Sequence, residues 1–261
     1  LCGGNGSECN DDPGNAIIIR SGIVCGRLNV TDSPGVRQLC DQLEISFWPE
    51  EGMRFSRFVR ATERVTIVLE QQGKRVARNA IWWLLLEPEH STGIMHFKPS
   101  RYTSFNTRYD KLNVPRSAGY HSFRQHRCVI PVAGFGESQK IGSKMTYHDM
   151  IAEPDAQLAM GGLYREWHGH DSHGNEFVET SCSVVTLPPH EKLMDVHQKS
   201  TPLMLSLKDN SLQRWRDAET TEPQALEDLL IPKIRHQFKV QPINKPSLYQ
   251  PAGESFVLEP D

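Results

Sequence analysis

The chain has 261 residues, a formal net charge of −3 at pH 7, 38% hydrophobic and 23% charged residues. It can build one large domain or two small ones with a full core, and it has no run of about 18 apolar residues, which excludes a membrane-spanning helix. The near-neutral total hides an asymmetry: seven Lys/Arg against Asp110 between Lys98 and Arg127, seven against Glu63 and Glu70 between Arg54 and Arg78, and acids gathered in "DAETTEPQALED". Such basic segments suit a nucleic-acid groove, and equally a solvated mixed surface.

In chain order, residues 1–24 form a leader set apart from the fold. "CGGNGSECNDDPGN" has turn and disorder composition. Arg20 interrupts the apolar run "AIIIRSGIV" and no basic n-region precedes it, so the leader is no signal peptide. Asp32-Ser33-Pro34 before "GVRQLCDQL" predicts a helix capped by Ser33, with Val36, Leu39, Cys40 and Leu43 on one face. "RVTIVL" (64–69) and "NAIWWLLL" (79–86) read as strands, the second buried on both sides. "RCVIPVAGF" (127–135) is a strand ending in a glycine-rich bend, with Glu137 just beyond it. "KMTYHDMI", "QLAMGGLY" and "EFVETSCSVVTL" predict a meander with "HGHDSHGN" at a hairpin tip. "PPHEKLMDV" is a short helix, "SLKDNSLQRWRDA" and "TEPQALEDLLI" two amphipathic ones, and "FKVQPIN" a last strand. This order is not a regular βαβ alternation, so a single α+β domain over 25–245 is expected, with a C-terminal tail at 246–261.

Six cysteines (2, 9, 25, 40, 128, 182) occur without a C-x-x-C pair, which reads as reduced thiols of a cytoplasmic protein. Cys40, Cys128 and Cys182 sit on apolar faces and are expected in the core. His168, His170 and His173 with Asp171 could hold a metal; a hydrated turn is the simpler reading, and no metal or organic cofactor is expected.

Four motifs stand in order: "CGR" at 25–27, "FNTRYD" at 105–110, "RCVIPVAGFGE" at 127–137 and "VHQKSTPLML" at 196–205. With Gly161-Gly162-Leu163, this order resembles the SOS-response-associated peptidase (SRAP) family, whose members crosslink to abasic sites in DNA. The resemblance implies a β-barrel-like core of mostly antiparallel strands flanked by helices. It also implies a chemistry. An N-terminal cysteine carries a 1,2-aminothiol, whose amine has a pKa near about 8 and can form a Schiff base with the ring-opened sugar aldehyde. The thiol then closes a thiazolidine. An internal cysteine cannot do this, because its nitrogen is an amide, so Cys25 must become residue one. Initiation at Val24 or cleavage of the leader would each achieve that; Cys2 is a decoy without the following Arg.

By the same resemblance Glu137 is the acid/base, its pKa raised by burial. His197 shuttles protons at the sugar O4′, and Asn106 orients the aldehyde or the amine. Arg27, Arg108 and Lys199 meet phosphates, and Trp82 and Trp83 supply a wedge against unstacked bases or pack in the core. The partner would be single-stranded DNA containing abasic sites, bound by a monomer, cytoplasmic and nucleoid-associated on damaged DNA, with no membrane. The chain departs from the family pattern at Asp110, Ser138, Ser200 and Thr201. Two rivals remain: a self-cleaving cysteine peptidase, and a non-catalytic DNA-binding module with Cys25 blocked.

Overall fold

The computed structural model describes residues 26–91 and 94–261. Cys25 and the leader, with Cys2 and Cys9, lie outside the described residues. The first half of the chain forms β1 (Arg27–Val30), α1 (Pro34–Gln42), β2 (Ser56–Arg60), β3 (Arg64–Gln71), β4 (Lys74–Trp82), β5 (Leu86–Ser91), β6 (Ile94–Pro99) and β7 (Asn106–Arg108). Then come α2 (Tyr120–Gln125), β8 (Arg127–Pro131), β9 (Gly134–Ile141), β10 (Lys144–Ala152), β11 (Ala159–His170) and β12 (Glu176–Leu187). The last part holds β13 (Thr201–Pro202), β14 (Met204–Leu205), α3 (Ser211–Arg216), β15 (Phe238–Ile243) and β16 (Phe256–Leu258).

Five strands close on themselves in the order β12-β4-β3-β8-β11 and back to β12, which makes a barrel; β7, β13 and β14 attach to it. Every pairing in this ring is antiparallel except β12 with β4. A second, all-antiparallel sheet runs β16-β15-β10-β9-β1-β2. The fold is a single α+β domain with a barrel core and few helices, as the sequence led us to expect.

Side-chain alternation explains the layers. Val65, Ile67 and Leu69 of β3, Cys128 and Ile130 of β8, and Cys182 and Val184 of β12 share one buried cluster. The intervening Val68, Val129 and Val185 join another with Phe123 of α2 and Leu212 and Trp215 of α3. Helices must lie outside a closed barrel, so the first set fills its lumen. Burial raises the pKa of the Cys128 and Cys182 thiols and lifts Cys40 to about 11.

Local signals hold well at α1. The Ser33 hydroxyl accepts the Val36 N–H at 3.3 Å, Pro34 opens the first turn, and Val36, Leu39 and Cys40 are buried. Several expectations change, among them the amphipathic helix expected over 221–231, which forms a 3-10 helix at Pro223–Leu230. The strand drawn through 79–86 ends at Trp82, because Trp83 N–H turns back to the Ile81 carbonyl and Leu84 N–H goes to the Ser104 carbonyl. β10 and β11 are not neighbours in a meander: β10 lies in the second sheet and β11 in the barrel. The helix expected over 206–218 shortens to α3, since Asn210 at φ 59° holds a left-handed step just before it. The tail at 246–261 supplies β16, and the Asp261 carboxylate accepts the Ile234 N–H and meets His190 and Lys192.

Arg127 belongs to the fold and not to a groove. It is 6% exposed and its guanidinium donates to the carbonyls of Phe123, Trp215, Asp217 and Thr220, tying α2 and α3 to β8. Burial lowers its pKa to about 10. Arg127→Leu strands these acceptors, so urea unfolding should show a loss of at least about 3 kcal/mol.

Candidate active site

β8 leaves the barrel at Val132 and Ala133, whose N–H groups bond to Leu158 and Asn29, and re-enters the second sheet as β9. This crossing delivers Glu137. The sequence suggested a loop after a bend; the structure puts Glu137 inside β9, only 1% exposed. A strand position fixes its direction, and burial removes competing water.

His197 comes from the segment after the 3-10 turn Glu191–Leu193. Its Nδ1 lies 3.1 Å from the Ser138 carbonyl and 3.6 Å from Glu137 Oε2. The shorter contact needs a proton on Nδ1, so Nε2 carries the lone pair; Nε2 is buried and has no hydrogen-bond partner among the described residues. Burial holds the pKa of His197 below its ordinary value, the Ser138 carbonyl pulls the other way, and Lys199 adds repulsion. At neutral pH this is a neutral imidazole beside a buried carboxyl, and the 3.6 Å contact is not an ion pair.

β7 carries Asn106 and Arg108 on one face, in parallel register with Val184 and Thr186 of β12. Thr107 points the other way and bonds Ser183 Oγ at 2.7 Å. Arg108, Tyr109, Thr186, Lys199 and Ser200 line a cavity of about 420 Å³ floored by Leu187-Pro188-Pro189. Two cations thus stand over one hollow, Arg108 being held by Asp110. The buried hydroxyls of Thr186 and Ser200 have no partner among the described residues. Unmatched hydroxyls beside two cations suit an anion. The short run from His197 to Ser200 joins this cavity to Glu137.

Other expected contacts fall elsewhere. Trp82 and Trp83 are fully buried and offer no face to a base. Trp82 instead donates its indole N–H to the Phe105 carbonyl at 2.8 Å, and both rings pack on Phe105. They anchor the strand that presents Asn106. Arg27, opposite Gly136 in the β1–β9 ladder, is 7% exposed and donates to the His148 carbonyl at 2.8 Å. That guanidinium is committed inside the protein and not offered to a phosphate. A Cβ on Gly136 would strike it, which is why a glycine sits there. Some cations of the basic segments are paired from within: Arg60 with Glu63, Arg64 with Glu179, Arg75 with Glu44, and Lys98 with Glu89. At the histidine-rich tip, Asp171 accepts the N–H groups of His173 and Asn175 and is used up by the turn. No cluster of three or more metal-ligating side chains occurs among the described residues.

Sequence reasoning missed His148, directly opposite Glu137 in the β9–β10 ladder, and the hydroxyls of Thr186 and Ser200. Strand alternation alone cannot say which neighbouring strand a residue will face. It also missed Asp149, 4% exposed, whose carboxyl burial lifts to about 6 against the pull of Arg27 and Arg57, and which accepts the Tyr249 hydroxyl at 2.6 Å.

The family described as SOS response associated peptidase (SRAP) matches residues 24–246. The abasic site processing protein YobE of Bacillus subtilis is 29% identical over 136 residues, 50% of this chain and 57% of that one, so the match spans just over half of YobE. The abasic site processing protein YoqW of Bacillus subtilis is 24% identical over 214 residues, covering 80% of this chain and 87% of YoqW. Among solved structures, a Bacteroides thetaiotaomicron protein superposes with a TM-score of 0.60 at 15% identity, over 87% of this chain and 95% of that one. A Bordetella bronchiseptica protein gives 0.58 at 14% identity, over 80% and 94%. These likenesses establish the fold.

The site geometry makes a direct prediction. Histidine ¹⁵N spectra at pH 7 should show His197 with its proton on Nδ1 and a titration midpoint below 6.5. The sign follows from linkage: as pH falls through 6.5 the unfolded chain takes up the proton first, so stability drops from there down to the folded midpoint. His197→Asn should flatten that part of the stability profile.

Proposed function

Because this chain belongs to the SRAP family, we propose that it processes abasic sites in DNA and captures them as a thiazolidine on Cys25, exposed as the first residue of the mature protein. The observation that carries this reading is the placement of the buried Glu137 carboxyl beside the buried His197 ring, joined by one short segment to a cavity bearing Arg108 and Lys199.

The chemistry balances with the loss of one water. The Cys25 amine adds to the C1′ aldehyde to give a carbinolamine. Glu137 supplies the proton with which the hydroxyl leaves as water, and the Cys25 thiol adds across the resulting C=N bond, its proton returning to the Glu137 carboxylate. His197 Nε2, as a lone pair in a dry site, accepts the proton of the C1′ hydroxyl during ring opening and delivers it to O4′, and the reverse on closure. Asn106 orients the aldehyde. Arg108 and Lys199, with Thr186 and Ser200 donating hydroxyl protons, take the phosphate next to the lesion. Single-stranded DNA is the preferred substrate, because its sugar reaches the site without the cost of unpairing. The Schiff base also opens a route to strand cleavage by β-elimination, as a side activity.

The test is an intact-mass spectrum of the protein mixed with a single-stranded oligonucleotide bearing one abasic site. The expected species has the mass of protein beginning at Cys25 plus DNA minus water. Protein that retains residues 1–24 and forms no adduct would sink the reading. Self-cleavage ahead of Cys25 without an adduct would favour a peptidase. Glu137→Gln should slow adduct formation by about 10²–10⁴-fold. Arg108→Ala and Lys199→Ala should each lower the slope of log affinity against log salt by about 0.7.

A further inference from the structure

We infer that Tyr109, with Pro188 and Pro189, stacks against the nucleobase next to the lesion, so that the cavity beside Arg108 and Lys199 takes a whole nucleotide and not a phosphate alone. The inference rests on the assignment of abasic DNA to this site, and it deepens it by naming a residue that reads the lesion's neighbour.

Three strand ends build the cavity. At the end of β12, β7 lies along one edge with Arg108 opposite Thr186, and β13 along the other with Thr201 opposite Leu187. Tyr109 therefore leaves β7 beside Leu187, while Lys199 and Ser200 enter β13 beside Pro188 and Pro189. The two flanks stand two strand spacings apart, about 10 Å, with Leu187-Pro188-Pro189 as the floor between them. That width admits a flat ring against one wall. The volume of about 420 Å³ is room for on the order of fourteen waters, several times the space of a phosphate.

Half of the lining is apolar or aromatic, namely Tyr109, Leu187, Pro188 and Pro189, and neither the phosphate nor the sugar uses it. Phe105, four residues earlier, is buried against Trp82 and Trp83. Tyr109 is 38% exposed, and among the described residues its ring packs on no other aromatic ring. The segment thus sends one ring inward as an anchor and keeps the other at the cavity. An aromatic face beside cations suits a nucleotide, because any base stacks on the ring while the charges hold its phosphates. Position along the chain selects which nucleotide. Arg108 stands two residues beyond Asn106 on the same face of β7, about 7 Å along the strand. Lys199 stands two residues beyond His197, close enough to disfavour a proton on its ring. With the lesion's sugar at Asn106 and His197, the next nucleotide of the strand meets Tyr109.

The test measures affinity of the full chain for single-stranded oligonucleotides carrying a tetrahydrofuran abasic analogue, which has no aldehyde. On either side of the analogue stands a purine, a pyrimidine or a base-free propyl spacer, and thermal melting confirms that each variant is folded. Wild type is expected to lose about 5–150-fold when the base on one side is removed, and to favour a purine there. Tyr109→Ala should bind these oligonucleotides alike, and Tyr109→Phe should keep the discrimination. Tyr102→Ala, at an exposed tyrosine outside the cavity, should behave as wild type. A folded Tyr109→Ala that still discriminates, or a Tyr109→Phe as defective as Tyr109→Ala, would overturn the inference. So would wild type that binds none of the oligonucleotides or is indifferent to the base on both sides. Adduct formation with a true abasic site is followed separately. Discrimination without an adduct would keep the stacking pocket and end the thiazolidine chemistry; an adduct without discrimination would do the reverse.

Discussion

β12 bonds to β11 and then β13 along one edge, and to β4 and β7 in turn along the other. This double commitment closes the barrel, and the site depends on the closure. With both edges occupied, the strand cannot slip by one residue without turning every lumen side chain outward. Its register therefore fixes β7, and through β7 the face on which Asn106 and Arg108 emerge. Trp82 reinforces the same point by holding the Phe105 carbonyl. Two large side chains that look like a stacking platform are better understood as the clamp behind the binding strand.

The second sheet solves a different problem. A buried carboxyl is costly to place and needs rigid support. β9 supplies it by continuing out of the barrel wall from β8, so Glu137 is positioned by a strand paired to β1 and β10 and not by a loop. Arg27 crosses above Gly136 and is held by the His148 carbonyl, which locks β1 to β9 and β10 at the place where the chain emerges from residue 26. A cation whose hydrogen bonds are spent on the framework does little to attract DNA. Arg108, paired with Asp110, and Lys199 stay at the surface and line one cavity.

The fold class, the strands and α1 were legible because each rests on a local signal: alternation for β3, β8, β11 and β12, and the Ser33-Pro34 cap for the helix. The contact of Glu137 with His197 follows the order of the motifs. What could not be read was which sheet a strand joins. β10 and β11 have similar patterns, yet the turn at 153–158 sends them to different layers. The roles of Arg27, Arg127, Trp82 and Trp83 were hidden for a related reason. Composition reports a charge or a ring, whereas the partner that consumes it is a backbone carbonyl contributed from far away, such as Trp215 for Arg127 or Phe105 for Trp82.

The placement of Cys40, Cys128 and Cys182 has a bearing on chemical selectivity. Under the proposed capture of an aldehyde by Cys25, further thiolates would react with the same aldehydes and oxidants. Here burial keeps these three as neutral thiols, inaccessible in the folded state. For Cys128 and Cys182 the barrel serves as a protecting group, removable only by unfolding.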